Sequence, residues 1–230
     1  MFEVHYNGKA TAKVAGKAAL AGIRFGCRSV EFWCTSLPAI TPILQFTNLQ
    51  EVDKKEFWQL IEFTKEVSKG DQTRQEQALI NSLAQHDPQQ IVEFECILRE
   101  YLIEADDFNI MAAQKILNGY VTDDSYLYFR CWLVGQGETV FTNALRSPDT
   151  LVTVVQAPYQ DFEELLYVAT MAYEKRTGAK EEDDEDTFPR GIAYARGLDY
   201  DSGSATKGED WTENQLPKLL PKLWKKFGVA

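Results

Sequence analysis

Hydrophobic and polar positions change period along the chain. Phe2, Val4 and Tyr6 alternate with Glu3, His5 and Asn7, and Val30, Phe32 and Cys34 alternate with Glu31, Trp33 and Thr35. Period two is the signature of a half-buried strand. Asn7-Gly8 is a favoured tight-turn pair, Pro38 ends the second run, and Ile43, Leu44 and Phe46 predict a third short strand. Glycines at 8, 16, 22 and 26 punctuate these pieces as turns or bulges. Residues 1–50 therefore predict a small β-ribbon or sheet. Two or three strands do not stand alone in water, so it must pack on the rest of the chain or on a partner.

From Asp53 the period becomes helical. Asp53-x-x-Glu56 has the form of a capping box, and Phe57, Leu60, Ile61, Thr64 and Val67 share one face. Gly70 closes this helix and Asp71 can cap a second, with Leu79, Ile80 and Leu83 as its buried stripe. Asp87-Pro88 is a cap followed by proline at the first helical position, and Ile91, Phe94, Leu98, Tyr101 and Leu102 follow at spacings of three and four. Further helices are predicted over about 109–117, from Asp123 or Asp124 to Gly135, and over 139–145. Asp161-x-x-Glu164 repeats the capping-box form before a helix closed by Gly178. Residues 179–210 lose all periodicity and predict an acidic, glycine-containing loop or linker. Residues 211–230 regain a stripe in Leu216, Leu219, Leu220, Leu223, Trp224 and Phe227. Pro217 and Pro221 divide it into two short helical pieces that pack on the acidic helical domain at 51–178. The expected class is α+β, predominantly α, with about seven helices in an irregular body.

Composition narrows this picture. Apolar residues at 44% of the 230 suffice for a packed core, which argues against wholesale disorder. The net charge of −11 is unevenly spread. Residues 1–50 hold five basic and two acidic side chains, net +3. Residues 51–178 hold 11 and 22, net −11, and residues 179–230 hold eight and 11, net −3. Such acidity speaks against a protein that grips nucleic acid by neutralising phosphates. The first residues lack the apolar run of a secretory leader, and no segment reaches the roughly 18 apolar residues of a membrane helix. Cys27, Cys34, Cys96 and Cys131 lie far apart without CxxC spacing, which predicts reduced thiols in a cytoplasmic protein.

Chemistry is sparse. His5 and His86 are the only histidines, so a histidine-based triad would need assembly from distant segments. No phosphate-binding glycine loop occurs, and neither a metal nor a cofactor is expected. Asp106-Asp107 and Asp123-Asp124 stand at predicted helix starts, where capping competes with a paired-carboxylate site. The richest stretch is DDSYLYFRCWLVGQG at 123–137. On a helix Tyr126 lies four residues from Arg130, and Tyr128 four from Trp132. Arg130 in so aromatic a helix must be paired, with Asp123 or Asp124 as a plausible partner, or stand at the rim of a cleft. The residues expected to meet a ligand or partner are Asp123, Asp124, Tyr128, Arg130, Trp132, Gln136 and Gly137.

KEFWQLIE (55–62), DDSYLYFRCWLVGQG (123–137), FEELLYVATMAYEKRTG (162–178) and LPKLW (220–224) occur in this order in one group of bacterial domains. Over about residues 53–227 the chain resembles the family catalogued as domain of unknown function 4240, and the first fifty residues fall outside the likeness. The resemblance implies a mainly helical bacterial cytoplasmic domain and points to Asp124, Arg130, Trp132 and Gly137. It brings no catalytic assignment.

Three functions compete. An acidic surface predicts a non-enzymatic binding protein, such as an immunity or regulatory protein, with a basic protein as its partner. An enzyme of metal-assisted hydrolase type would use a pocket on Asp123, Asp124 and Arg130. The basic N-terminal ribbon would pair two copies through strand edges or touch nucleic acid weakly.

Overall fold

The structure is a computed structural model, and it describes residues 52–201 and 205–228. The expected N-terminal ribbon, His5, Cys27 and Cys34 lie outside the described residues.

The body is helical. In chain order its helices are α1 (Lys54–Ser68), α2 (Gln72–Leu83), α3 (Pro88–Glu104), α4 (Phe108–Asn118), α5 (Asp123–Gly135), α6 (Glu138–Arg146), α7 (Val168–Thr177), α8 (Pro189–Ala195), α9 (Leu216–Leu219) and α10 (Pro221–Phe227). Single 3-10 turns lie between them, among them Pro148–Thr153, Glu163–Tyr167, Glu181–Asp183 and Glu185–Thr187.

The caps predicted from short polar residues form. The Asp53 carboxylate accepts from Glu56 N at 2.8 Å, Asp71 from Arg74 N at 2.9 Å, and Asp107 from Asn109 N at 2.7 Å. Each satisfies a backbone donor that a helix start leaves unpaired. Two expectations change. Asp161 caps nothing: a 3-10 turn precedes α7, and the Asp161 carbonyl instead accepts from the Gln72 side chain. On α1 the apolar face turns toward Trp58, which is buried, and leaves Val67 41% exposed.

α3, the longest helix among the described residues, packs against α1, α5, α7 and α8. Phe57 and Trp58 from α1, Phe94 and Tyr101 from α3 and Phe141 from α6 stack with neighbouring centroids 4.6–5.4 Å apart. Trp58 Nε1 donates to the Tyr101 hydroxyl at 2.9 Å, so the aromatic cluster buries its polar atoms as a pair.

The stretch without periodicity is more structured than a loop. It holds two 3-10 turns and α8, and it buries Phe188 and Ala193 completely. Ala193 joins Val92 and Cys96 of α3 in a small apolar cluster, sheltered by Tyr173, Ile192 and Leu198. Further on, Lys207 pairs with the α3–α4 corner: its N–H donates to Asp106 O at 3.1 Å, and its carbonyl accepts from Phe108 N at 2.9 Å. The two C-terminal pieces, α9 and α10, form as the prolines predict, and α10 lies against α4 and the Pro148–Thr153 turn. The buried Asp149 carboxylate accepts from Lys222 N and Leu223 N at 3.0 and 2.8 Å, capping α10 from a distant segment.

Candidate functional site

The apolar contact between α3 and α8 brings charged groups together above it. Glu95 and Arg99 are one turn apart on α3, and Arg99 Nε donates to Glu95 Oε1 at 2.7 Å. Both are deeply buried, at 2% and 5% exposure. Glu95 Oε2 is buried with no hydrogen-bond partner among the described residues. Arg99 continues to Leu198 O through Nη1 at 3.0 Å, and its guanidinium lies 4.6 Å from the centre of the Tyr200 ring. The arginine thus fixes the chain just past α8 by backbone and ring at once.

On the other side the acidic segment 181–186 lies against α8, and Gly191 permits the approach. A Cβ at that position would sit 2.3 Å from the Glu185 carbonyl oxygen. Between these walls is a cleft of about 800 Å³. Arg99 lies deepest in it, and Arg190, Tyr200, Glu181 and Asp199 are half-buried. Glu182, Glu185, Asp186, Tyr194 and Asp201 stand exposed around the mouth.

Charge is graded in the same way. Burial raises the Glu95 carboxyl above the usual range, against the pull of Arg99. Burial works against the Arg190 cation, but the Tyr200 phenol and the Glu181 and Glu95 carboxylates outweigh it and hold the guanidinium protonated. Arg190 also lies over the Tyr167 ring, 5.4 Å from its centre. Among the described residues no carboxylate stands within 4 Å of Arg190, and none of Glu181, Glu182, Glu185, Asp186 and Asp201 pairs with a cation at that distance. Among the described residues the cleft therefore combines a mouth of carboxylates without a cation within 4 Å and an interior in which Arg190 stands among the half-buried carboxylates Glu181 and Asp199.

The residues singled out in the 123–137 motif have other surroundings. Thr122, not Asp123 or Asp124, caps α5, exchanging hydrogen bonds with Ser125. The two aspartates are exposed in the first turn, where they favour the helix dipole, and neither pairs with Arg130. Arg130 is 5% exposed. Its Nη1 donates to Leu102 O at 3.0 Å, its Nη2 to Tyr200 O at 3.4 Å, and its Nε is buried without a partner. The guanidinium lies 4.8 Å from the Tyr126 ring centre, as the four-residue spacing predicts. Tyr128 is half-buried, its carbonyl accepts from Phe162 N, and burial with the nearby Glu163 carboxylate pushes its phenol up to about 12. Trp132 is buried against Phe129. The Gln136 carbonyl accepts from Lys65 Nζ at 2.8 Å. Gly137 takes a left-handed φ of 91°, and a Cβ there would meet the Glu62 side chain at 3.1 Å.

Arg130 is the one motif residue that touches the cleft's framework, by holding Tyr200 from behind. The sequence reading missed Glu95, Arg99, Arg190 and Tyr200. A signal for the first two was present: an oppositely charged pair four residues apart inside the apolar run of α3.

Among the described residues no three His, Cys, Asp or Glu side chains are grouped so as to hold a metal ion. No helix of the described residues is long and apolar enough to cross a membrane. Cys96 and Cys131 are buried free thiols, and burial raises both. A family model described as "Protein of unknown function (DUF4240)" matches residues 52–175. The match takes in α1 to α6 and nearly all of α7, and ends before the acidic segment, α8 and the LPKLW motif. No curated protein and no solved structure matches the chain.

Proposed function

The chain belongs to the DUF4240 family, and from its geometry we propose that it is a protein-binding module, of the immunity or regulatory kind, that receives a basic segment of a partner protein in the cleft lined by α8, the acidic segment 181–186, Arg99 and residues 199–201. One observation carries this reading. Glu182, Glu185, Asp186 and Asp201 stand exposed around the cleft with no cation of the described residues within 4 Å. Charges of one sign left unneutralised around a low-dielectric cleft focus the field outward, raise the local concentration of opposite charge and disfavour acidic competitors. Tyr194, 65% exposed beside them, offers a ring face to a lysine or arginine. The free buried thiols fit a reducing compartment such as the cytoplasm.

Calorimetric titration with a short oligolysine peptide tests the proposal. Binding that weakens steeply as salt is raised, and that Glu182→Lys with Glu185→Lys abolishes, is the expected result. A peptide that does not bind at low salt, or that binds the double variant equally well, overturns it.

A further inference from the structure

Inside the cleft the half-buried Arg190 lies among the half-buried carboxylates Glu181 and Asp199, yet is in direct contact with no carboxylate of the described residues, and a purely cationic guest leaves its guanidinium without one. Arg190 is half-buried, lines the cleft and has no carboxylate within 4 Å among the described residues. Tyr200 steadies its guanidinium on one side and the Tyr167 ring on another, neither of which neutralises it. Arg99 lies deeper, and among the described residues its only anionic partner within 4 Å is Glu95. A fully buried carboxylate beneath the cleft, with Oε2 unpartnered, is a weak counter-ion for two guanidinium groups. A desolvated guanidinium facing open space is the usual receptor for a carboxylate, which it can bind through two parallel hydrogen bonds.

We propose that the cleft takes the free carboxy terminus of a basic peptide, with the terminal carboxylate on Arg190 and the basic side chains among the carboxylates at the mouth. The proposal rests on the protein-binding reading above and adds to it which end of the partner enters. The charge at Arg190 suits a chain end more than a strand passing through. Arg99 and Tyr200 line one side of the cleft, and Arg99 and Arg130 tie Leu198 and Tyr200 to α3 and α5. An internal segment of a partner would place a neutral peptide group against Arg190, whereas a terminus supplies a full negative charge there.

The test compares an N-acetylated oligolysine peptide bearing a free terminal carboxylate with the same peptide amidated, both titrated into the unmodified protein. The free acid is expected to bind about tenfold more tightly or better, the worth of one charge-assisted contact. Arg190→Gln is expected to remove the difference in affinity between the free acid and the amide. Equal binding of the two peptides overturns this proposal and leaves the basic-partner reading standing. Failure of both to bind overturns both. Because the first comparison uses the unmodified protein, the result stands even where Arg190→Gln does not fold.

Discussion

Arg130 on α5 and Tyr200, seventy residues later, are joined by a hydrogen bond from Nη2 to the backbone carbonyl at 3.4 Å. The same guanidinium holds Leu102 O on α3, so one side chain ties two helices to the wall of the cleft. Arg99 grips the same wall through Leu198 O and the face of Tyr200. Arg130→Met is expected to lower unfolding free energy by about 2–3 kcal/mol, because two carbonyls lose a charged donor in a buried setting. Hydrogen exchange at 198–201 should accelerate with it. Arg130→Lys, a point donor that cannot span both carbonyls, should fall between the two. Unchanged exchange at those amides would show that the wall stands without it.

Gly191→Ala is expected to deform the cleft without emptying the core. The added methyl would approach the Glu185 carbonyl to 2.3 Å, and backbone on both sides leaves no flexible side chain to yield. A loss of about 1–3 kcal/mol in stability is expected, together with loss of oligolysine binding. Binding retained at full strength would separate the cleft from recognition.

Glu95 gives the protein a pH dependence of definite sign. Burial raises its pKa, so the folded state holds a proton that the unfolded state has already released. Stability is then lost as pH rises from about 4 toward the folded pKa. Glu93 has the opposite sign: its hydrogen bonds from Arg196 lower its pKa, and its contribution disappears as pH falls. Comparing the native protein with Glu95→Gln in urea across the pH range cancels Glu93. The gap is expected to move against the native protein as pH rises from 4, and a gap independent of pH would refute the assignment.

Asp149→Ala removes two hydrogen bonds to the first amides of α10, and the Lys222 and Leu223 N–H groups lose their acceptor. A cost of about 1–2 kcal/mol is expected, near the upper range for a helix cap, since the carboxylate is buried. Proteolysis within 221–227 would report it directly.

Helix starts were legible wherever the physics is local. Asp53, Asp71 and Asp107 each reach an amide two or three residues on, so a short window contains the whole interaction. At α5 the same chemistry was ambiguous, with Thr122, Asp123 and Asp124 adjacent. The cap fell to Thr122 because its backbone is extended, with φ −132° and ψ 165°, and because Ser125 reciprocates. α8 escaped notice since seven residues carry too few apolar positions to show a period, and its burial comes from α3. The cleft was illegible for the same reason. Arg99 meets Leu198 across 99 positions and Arg130 meets Tyr200 across 70, separations that no sequence pattern encodes.

The Asp149 cap also sets a clock on the protein's synthesis. Its partners lie 73 and 74 residues further along the chain. At about 5–20 residues per second, a ribosome needs roughly 4–15 seconds to supply them. During that interval α4 and the Pro148–Thr153 turn have been synthesised and lack their covering helix. The nascent protein spends these seconds with an apolar face bare, and a chaperone acting on it would do so in that window.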